Sequence, residues 1–255
     1  MQTFMIHSSG LSGRQWQALV RALPGPCHAP DLIGYPYGPP WSEGPALSAD
    51  VEYLLQLVDE ARGPIDVVGH SYGGALALHV ALKRPDRIRR IVVHDPVLWG
   101  SVLSDGNESC RREIMALAES DIMDPEMGGS PQWMRRFIEF WGGRGAWDAM
   151  SAQHQEAFLK VGRKVFQEVY DLGMDQNPAS VFDAIDAPIL FAMGEQSPAV
   201  AQEVSRVLAA RGDKRKLVTI PGGHMSPVTS PGRFVVAAVA FLTAEVSGYN
   251  ETSLV

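Results

Sequence analysis

Five short apolar runs lie along this 255-residue chain, each bounded by small or loop-forming residues. They are TFMIH (3–7), IDVVG (65–69), RIVVHD (90–95), PILFAM (188–193) and KLVTI (216–220), and CHAPDLIG (27–34) contains a sixth, shorter one. Segments with apolar residues at helical spacing separate most of them. Strands that are apolar throughout and alternate with helices are typical of parallel sheets covered by helices on both faces. The pattern therefore predicts an α/β fold around a mostly parallel sheet of about six strands.

The alternation stops between residues 97 and 185. This segment contains several helical patterns separated by Gly, Pro and Asp, and it has no apolar run of the strand type. The strand pattern then returns and continues towards the C-terminus. We therefore predict one sheet-forming core, made of residues 1–96 and 186–255, that is interrupted by a helical insertion at residues 97–185.

Composition and charge argue against several classes of protein. The 29 acidic residues outnumber the 22 Lys and Arg residues, and no basic run typical of a nucleic-acid-binding face is present. The two cysteines are far apart in sequence, which favours neither a disulfide framework nor a metal site. The sequence has no 18-residue apolar run and no signal-peptide pattern at its start. We expect no nucleic-acid partner and no membrane span, and we predict a cytoplasmic protein.

The strongest chemical signal is VVGHSYGG (67–74), which contains the G-x-S-x-G pattern between a predicted strand and a predicted helix. Glycines at positions 69 and 73 permit a tight turn that exposes Ser71. The start of the following helix supplies unpaired N–H groups and the positive end of the helix dipole. A serine in this setting is typical of a catalytic nucleophile.

Three further segments extend this pattern into a family resemblance. With MIHSSGLSGRQW (5–16), APDLIGYPYGPPW (29–41) and IPGGHMSPVTSP (220–231), the chain resembles the α/β-hydrolases over nearly its whole length, and the serine esterases among them. The segments correspond to the oxyanion loop, the Asp-x-x-Gly-x-Gly loop and the loop of the catalytic histidine. The resemblance implies a hydrolase with a catalytic triad and a helical lid, in which the optional first hairpin of the fold is absent.

The resemblance assigns roles to individual residues. Ser71 is the expected nucleophile, and His224, in a Pro-Gly-Gly-His loop, is the expected base. The backbone N–H groups of Tyr72 and Ser9 are the expected oxyanion hole. Ser8 stands where the family usually has glycine, so the sequence leaves the identity of the second donor less well defined.

The acid that orients His224 is the open question of the sequence. Many α/β-hydrolases carry an aspartate after the penultimate strand, but here the corresponding segment reads GEQSP (194–198) with Ser197 at the acid position. Serine cannot supply a negative charge. Asp95, which follows the strand after the nucleophile helix, is the first candidate, and Glu195 is the alternative. A site without an acid also stays open.

The insertion at 97–185 is rich in aromatic residues and corresponds to the position of the family's lid. Most of these side chains are expected to pack within the insertion, but some must cover the nucleophile. We expect the substrate pocket to include Ser8, Tyr35, Trp99 and Trp141. No metal-binding or nucleotide-binding motif is present, so neither a metal nor a cofactor is expected.

Together these features predict a cofactor-free serine hydrolase acting on a small, largely apolar ester, lactone or thioester. The same scaffold also carries out C–C bond hydrolysis, perhydrolysis and hydroxynitrile cleavage, because fold does not decide function. A hydrolase-fold binding protein with little turnover is a further alternative, motivated by Ser8 and by the altered acid position. The sequence contains no signal for an oligomeric state.

Overall fold

The computed structural model of the protein describes residues 1–244. Its strands are β1 (Thr3–Ile6), β2 (Cys27–His28), β3 (Ile65–His70), β4 (Ile88–His94), β5 (Ile189–Gly194) and β6 (Arg215–Ile220). Within the described residues they form one six-stranded sheet in the order β2-β1-β3-β4-β5-β6, and every neighbouring pair is parallel. This confirms the α/β fold and the strand number predicted from the apolar runs.

Helices connect the strands and also fill the interval between β4 and β5. They are α1 (Gln17–Ala22), α2 (Ala46–Glu60), α3 (Tyr72–Lys83), α4 (Trp99–Asp105), α5 (Glu108–Ala118), α6 (Pro131–Gly142), α7 (Ala152–Lys160), α8 (Gly162–Met174), α9 (Ala199–Ala209), α10 (Ser226–Thr229) and α11 (Gly232–Thr243). The predicted core segment 186–255 includes residues 245–255, which lie outside the described residues.

The strands β1, β3 and β5 are buried along their whole length and β4 at all but one residue, and successive side chains point to opposite layers. Val67 of β3 belongs to the larger apolar cluster with side chains of α2, α3 and α9. Its neighbour Val68 belongs to a second cluster with Trp16 and with Phe234 of α11. The helices therefore cover both faces of the sheet, as continuous apolar strands require.

Residues 97–185, all of which the structure describes, contain α4 to α8 and no strand. Three of these helices begin at a polar capping residue whose side chain accepts a hydrogen bond from a backbone N–H in the first turn, namely Asn107, Ser130 and Ser151. Pro131 additionally favours the start of α6, because its fixed φ suits the first helical position. These local signals explain why the segment folds as separate short helices.

The ends of β3, β4 and β5 lie side by side at the carboxyl edge of the sheet. His70 is in register with His94, and His94 is in register with Ala192. Loops that follow neighbouring parallel strands meet at such an edge, which is where open α/β sheets place their ligands. Among the helices of the described part of the chain, none has the length and apolar character that crossing a membrane requires.

Candidate active site

Ser71 lies at a strained turn between β3 and α3. Its φ is 56° and its ψ is −118°, a conformation that side-chain-bearing residues rarely adopt. The turn is held on both sides, since the Ser71 N–H donates to the His94 carbonyl (2.9 Å) and the Ser71 carbonyl accepts from Gly74 N–H (2.9 Å). Strain of this kind persists only where the surrounding structure enforces it, and it presents the serine at the start of a helix.

The two glycines of the motif are required by close packing. A Cβ added to Gly69 would lie 2.3 Å from the Gly73 carbonyl oxygen, and one added to Gly73 would lie 2.3 Å from the carbonyl oxygen of Ile6. The beginning of α3 therefore packs directly against the backbone of β1 and β3. Any side chain at either position would displace the turn that carries Ser71.

Asp95 and His224 are hydrogen-bonded to each other and almost completely buried. Asp95 Oδ2 lies 3.2 Å from His224 Nδ1, and the side-chain exposures are 0% and 2%. Burial alone would raise the pKa of Asp95, but His94, His224 and the Ser197 hydroxyl outweigh burial and hold that pKa well below its usual range. The Asp95 carboxylate is therefore ionised at neutral pH.

Ser197 contacts the same carboxylate. Its hydroxyl donates to Asp95 Oδ2 at 2.5 Å, and the Gly194 N–H donates to Asp95 Oδ1 at 3.2 Å. The last residue of β5 and the loop after it thus each supply one hydrogen bond to the Asp95 carboxylate. Glu195, the alternative acid, has an exposed side chain, and within residues 1–244 it forms no hydrogen bond or ion pair with His224.

The His224 ring is packed between aromatic neighbours. Trp141 of α6 stacks on it with a centroid distance of 3.9 Å and an interplanar angle of 22°. The His70 ring lies 4.9 Å away, and its Nε2–H donates to the His224 carbonyl at 2.8 Å. Burial, together with the nearby His224 and His94, lowers the pKa of His70 well below its usual value, so His70 adds no positive charge beside His224.

The expected oxyanion donors belong to residues at the start of α3 and in the loop after β1. Tyr72 is the first residue of α3, where helix geometry leaves the backbone N–H without an intrahelical partner. Ser9 lies in the loop after β1, and it lines the same cavity as Ser71. His7 anchors this loop, because its Nδ1–H donates to the Ser8 carbonyl and its Nε2 accepts from Leu32 N–H.

The cavity beside Ser71 has a volume of about 300 Å³ and a mostly apolar lining. Trp99 and Trp141 belong to this lining, together with Val97, Ile114, Leu117, Ile122, Met123, Phe137, Phe140, Val169 and Leu172. Most of these side chains come from the helices between β4 and β5. Arg136, which is ion-paired with Asp121, is the one charged residue of the lining among the described residues.

Two residues expected in the pocket lie elsewhere. Ser8 and Tyr35 are buried and do not line the cavity. The Ser8 backbone is fixed by Gln15, whose side-chain oxygen accepts the Ser8 N–H. The Tyr35 hydroxyl is directed into the protein, where it accepts the Gly10 N–H and donates to Glu168. The expectation placed Tyr35 in the substrate pocket, whereas these partners hold its hydroxyl inside the protein.

Sequence reasoning missed two kinds of residue at this site. The contact between Ser197 and Asp95 was missed, although position 197 was recognised as the place of the family acid. The buried charges Asp50, Lys164 and Glu168 gave no motif at all. Among residues 1–244, no group of three or more His, Cys, Asp or Glu side chains is arranged to hold a metal ion.

Comparison with known proteins gives a consistent family signal. A family model described as "Alpha/beta hydrolase family" matches residues 4–238 of the chain. Lipase LipV of Mycobacterium tuberculosis is 40% identical over 127 residues, which cover 47% of this chain and 45% of the lipase. A 2-hydroxymuconate semialdehyde hydrolase of Pseudomonas sp. (strain CF600) is 35% identical over 103 residues, covering 35% of this chain and 34% of that protein. The matched regions thus span less than half the length of these two curated relatives.

Among solved structures, the chain is similar to MGS-M2, an alpha/beta hydrolase enzyme from a Medee basin deep-sea metagenome library. The TM-score is 0.73 at 19% sequence identity, and the match covers 98% of this chain and 91% of that one. At this level of identity the similarity shows a shared fold.

Proposed function

The chain belongs to the alpha/beta hydrolase family, and from this premise we propose that it is a serine hydrolase that cleaves a small, largely apolar ester, lactone or thioester. One observation carries the proposal: Ser71 lies at a strained strand-to-helix turn and lines an apolar cavity whose wall includes Trp141, the residue stacked on His224. The match to a lipase over part of the chain supports ester chemistry.

In the proposed mechanism, His224 accepts the proton of the Ser71 hydroxyl as its oxygen attacks the substrate carbonyl. Asp95 holds the Nδ1–H of His224, which leaves Nε2 as the proton acceptor. The backbone N–H groups of Ser9 and Tyr72 stabilise the oxyanion of the tetrahedral intermediate. His224 then protonates the leaving group, and an activated water releases the acyl group from Ser71.

We further propose that residues 97–185 act as a lid over the sheet-forming core. The side chains of α6 and α8 support this division, because Phe137, Trp141 and Leu172 line the cavity that Ser71 also lines. An apolar wall of this kind favours an uncharged acyl or alcohol group over a highly polar one.

Labelling with a fluorophosphonate tests the nucleophile directly. We expect the wild-type protein to be labelled at Ser71 and the Ser71→Ala variant to stay unlabelled, with the site identified by peptide mass spectrometry. A series of p-nitrophenyl esters from acetate to octanoate then measures the acyl length that the cavity accepts. A wild-type protein that is neither labelled nor active on any of these esters would refute the proposal.

C–C bond hydrolysis is a second candidate, favoured by the partial match to a 2-hydroxymuconate semialdehyde hydrolase. The same Ser71–His224 pair would catalyse C–C bond hydrolysis, so the geometry does not distinguish this reaction from ester hydrolysis. The loss of 2-hydroxymuconate semialdehyde absorbance, compared with p-nitrophenyl ester hydrolysis by the same preparation, discriminates between them. The reaction with the higher kcat/KM identifies the function.

A further inference from the structure

A chain of buried polar side chains links the segment between β4 and β5 to the loops around Ser71. At its centre, Lys164 of α8 donates to Asp50 Oδ2 of α2 at 2.6 Å and to Glu168 Oε1 at 2.9 Å. The side-chain exposure is 3% for Lys164 and 0% for both carboxylates. We call these three residues, with the tyrosines hydrogen-bonded to them, the Lys164 network; its members are Lys164, Asp50, Glu168, Tyr35 and Tyr72.

One branch of the Lys164 network ends at the nucleophile turn. The Tyr72 hydroxyl donates to Asp50 Oδ2 at 2.8 Å. Tyr72 directly follows Ser71, and its backbone N–H is one of the two expected oxyanion donors. The side chain of the donor residue is thereby fixed by a carboxylate that also binds Lys164.

The other branch ends at the loop after β1. The Tyr35 hydroxyl donates to Glu168, with oxygen distances of 2.9 and 3.1 Å, and accepts the Gly10 N–H at 2.8 Å. Gly10 directly follows Ser9, which carries the second expected donor. The nearby Ser9 side chain also opposes the rise in the pKa of Glu168.

The surroundings of Lys164 in the network keep its ammonium group charged. Burial alone would lower the pKa of Lys164, but the carboxylates of Glu168 and Asp50 outweigh burial and raise that pKa above its usual value. Burial raises the pKa of both carboxyls, and Lys164 offsets this only in part. Apolar side chains of similar volume often stabilise a protein as well as such a buried cluster does. A contribution to stability therefore does not by itself explain why the two branches end beside Ser71.

We propose that Lys164 is a positioning residue which, through the two branches of its network, sets the separation and direction of the two backbone N–H groups of the oxyanion hole. The inference rests on the proposed function of Ser71 as a nucleophile. It also assigns the segment between β4 and β5 a role beyond covering the cavity, because α8 supplies Lys164 and Glu168.

The Tyr35→Phe variant gives the cleanest test, since it removes one hydroxyl and no charge. We expect kcat for a p-nitrophenyl ester to fall about 10- to 100-fold with KM nearly unchanged, because a displaced oxyanion donor is lost mainly in the transition state. Tyr37→Phe is the matched control. Tyr37 lies on the same loop, is 76% exposed, and its hydroxyl accepts from Arg14 at 3.4 Å. The control should keep the wild-type kcat.

Lys164→Met tests the centre of the network and should reproduce the loss of kcat. Asp175→Asn is its control, since it removes the charge from another contact between the segment after β4 and the core, the 3.1 Å pair of Asp175 with His79 of α3, without touching the Lys164 network. Thermal unfolding of each variant shows whether it folds. If Lys164→Met does not fold, Tyr35→Phe still tests the proposal. Equal losses of kcat in Lys164→Met and Asp175→Asn would mean that general docking of α8 matters, which would overturn the proposal.

Amide hydrogen exchange supplies a readout that does not need catalysis. In Tyr35→Phe and Lys164→Met, the peptide containing the Gly10 N–H should exchange faster than in wild type, while Tyr37→Phe leaves its exchange unchanged. Unchanged exchange together with unchanged kcat would overturn the proposal. If wild type resists fluorophosphonate labelling, the proposed function fails, and the exchange measurement still decides whether the Lys164 network positions the loop.

Discussion

Replacing Asp95 by asparagine tests the proposed acid with almost no change of shape. Asp95 Oδ1 accepts a hydrogen bond from the Gly194 N–H, while Oδ2 accepts from Ser197 and faces His224 Nδ1 at 3.2 Å. An amide NH₂ group cannot accept from the Gly194 N–H. The asparagine oxygen must therefore occupy the Oδ1 position, and its NH₂ group faces His224.

The consequence is a change of tautomer at His224. Its Nδ1 would accept a hydrogen bond from the new NH₂ group, so Nε2 would carry the proton and could not take one from Ser71. In a Ser-His-Asp site this change lowers kcat by about 10⁴-fold, which corresponds to about 5.5 kcal/mol in the activation free energy. We expect KM to change little, because Asp95 does not line the cavity.

The assay is steady-state hydrolysis of the best p-nitrophenyl ester at pH 8, with Glu195→Gln as the matched control. Glu195 is exposed and forms no hydrogen bond or ion pair with His224 within residues 1–244, so its amide variant should keep the wild-type kcat. The reasoning is refuted if Asp95→Asn keeps more than a tenth of the activity, or if Glu195→Gln loses more than Asp95→Asn does.

Three further predictions concern the surroundings of the site. Ser197→Ala removes a buried hydrogen bond to the Asp95 carboxylate and should lower the free energy of unfolding at neutral pH by about 2 kcal/mol, as measured by urea denaturation. Trp141→Leu removes the ring stacked on His224. It should lower kcat about 5-fold, because stacking of the protonated His224 ring on an aromatic ring is worth about 1 kcal/mol. Burial lowers the pKa of His94 to about 4. The stability contributed by the neutral His94 ring is therefore complete above pH 6.5 and is lost as the pH falls towards 4. Between pH 7.5 and 5, wild type should lose about 2 kcal/mol of unfolding free energy from His94.

Each of these predictions has an outcome that contradicts it. Equal urea midpoints for wild type and Ser197→Ala would show that the 2.5 Å contact contributes no net stability. A Trp141→Phe variant keeps an aromatic ring and should retain more activity than Trp141→Leu; the reverse order would exclude stacking as the cause. For the buried histidines, stability that stays constant from pH 7.5 to 5 would contradict the lowered pKa of His94 and equally those of His7 and His70.

The fold was predictable because its signal is local and repeated. Apolar runs such as IDVVG report burial on both faces directly, and the GHSYG turn has a fixed relation to the strand before it and the helix after it. The positions of Ser8 and Tyr35 were not predictable in this way. Tyr35 reads as a loop residue, yet its hydroxyl is buried because Glu168, 133 residues later, provides an acceptor. The Lys164 network was missed for the same reason, since burial of a charge depends on partners distant in sequence.

The proposed shift of the acid from position 197 to position 95 is consistent with the geometry of parallel strands. β4 and β5 are paired so that the Asp95 N–H donates to the Ala192 carbonyl, which brings the loops after the two strands together. Position 197 and position 95 are consequently hydrogen-bonded neighbours rather than separate sites. Two ionised carboxylates at that distance would repel each other strongly, so only one of the two positions can carry the negative charge. With Asp95 ionised, a hydroxyl at position 197 is the better partner, because it donates to the carboxylate that faces His224.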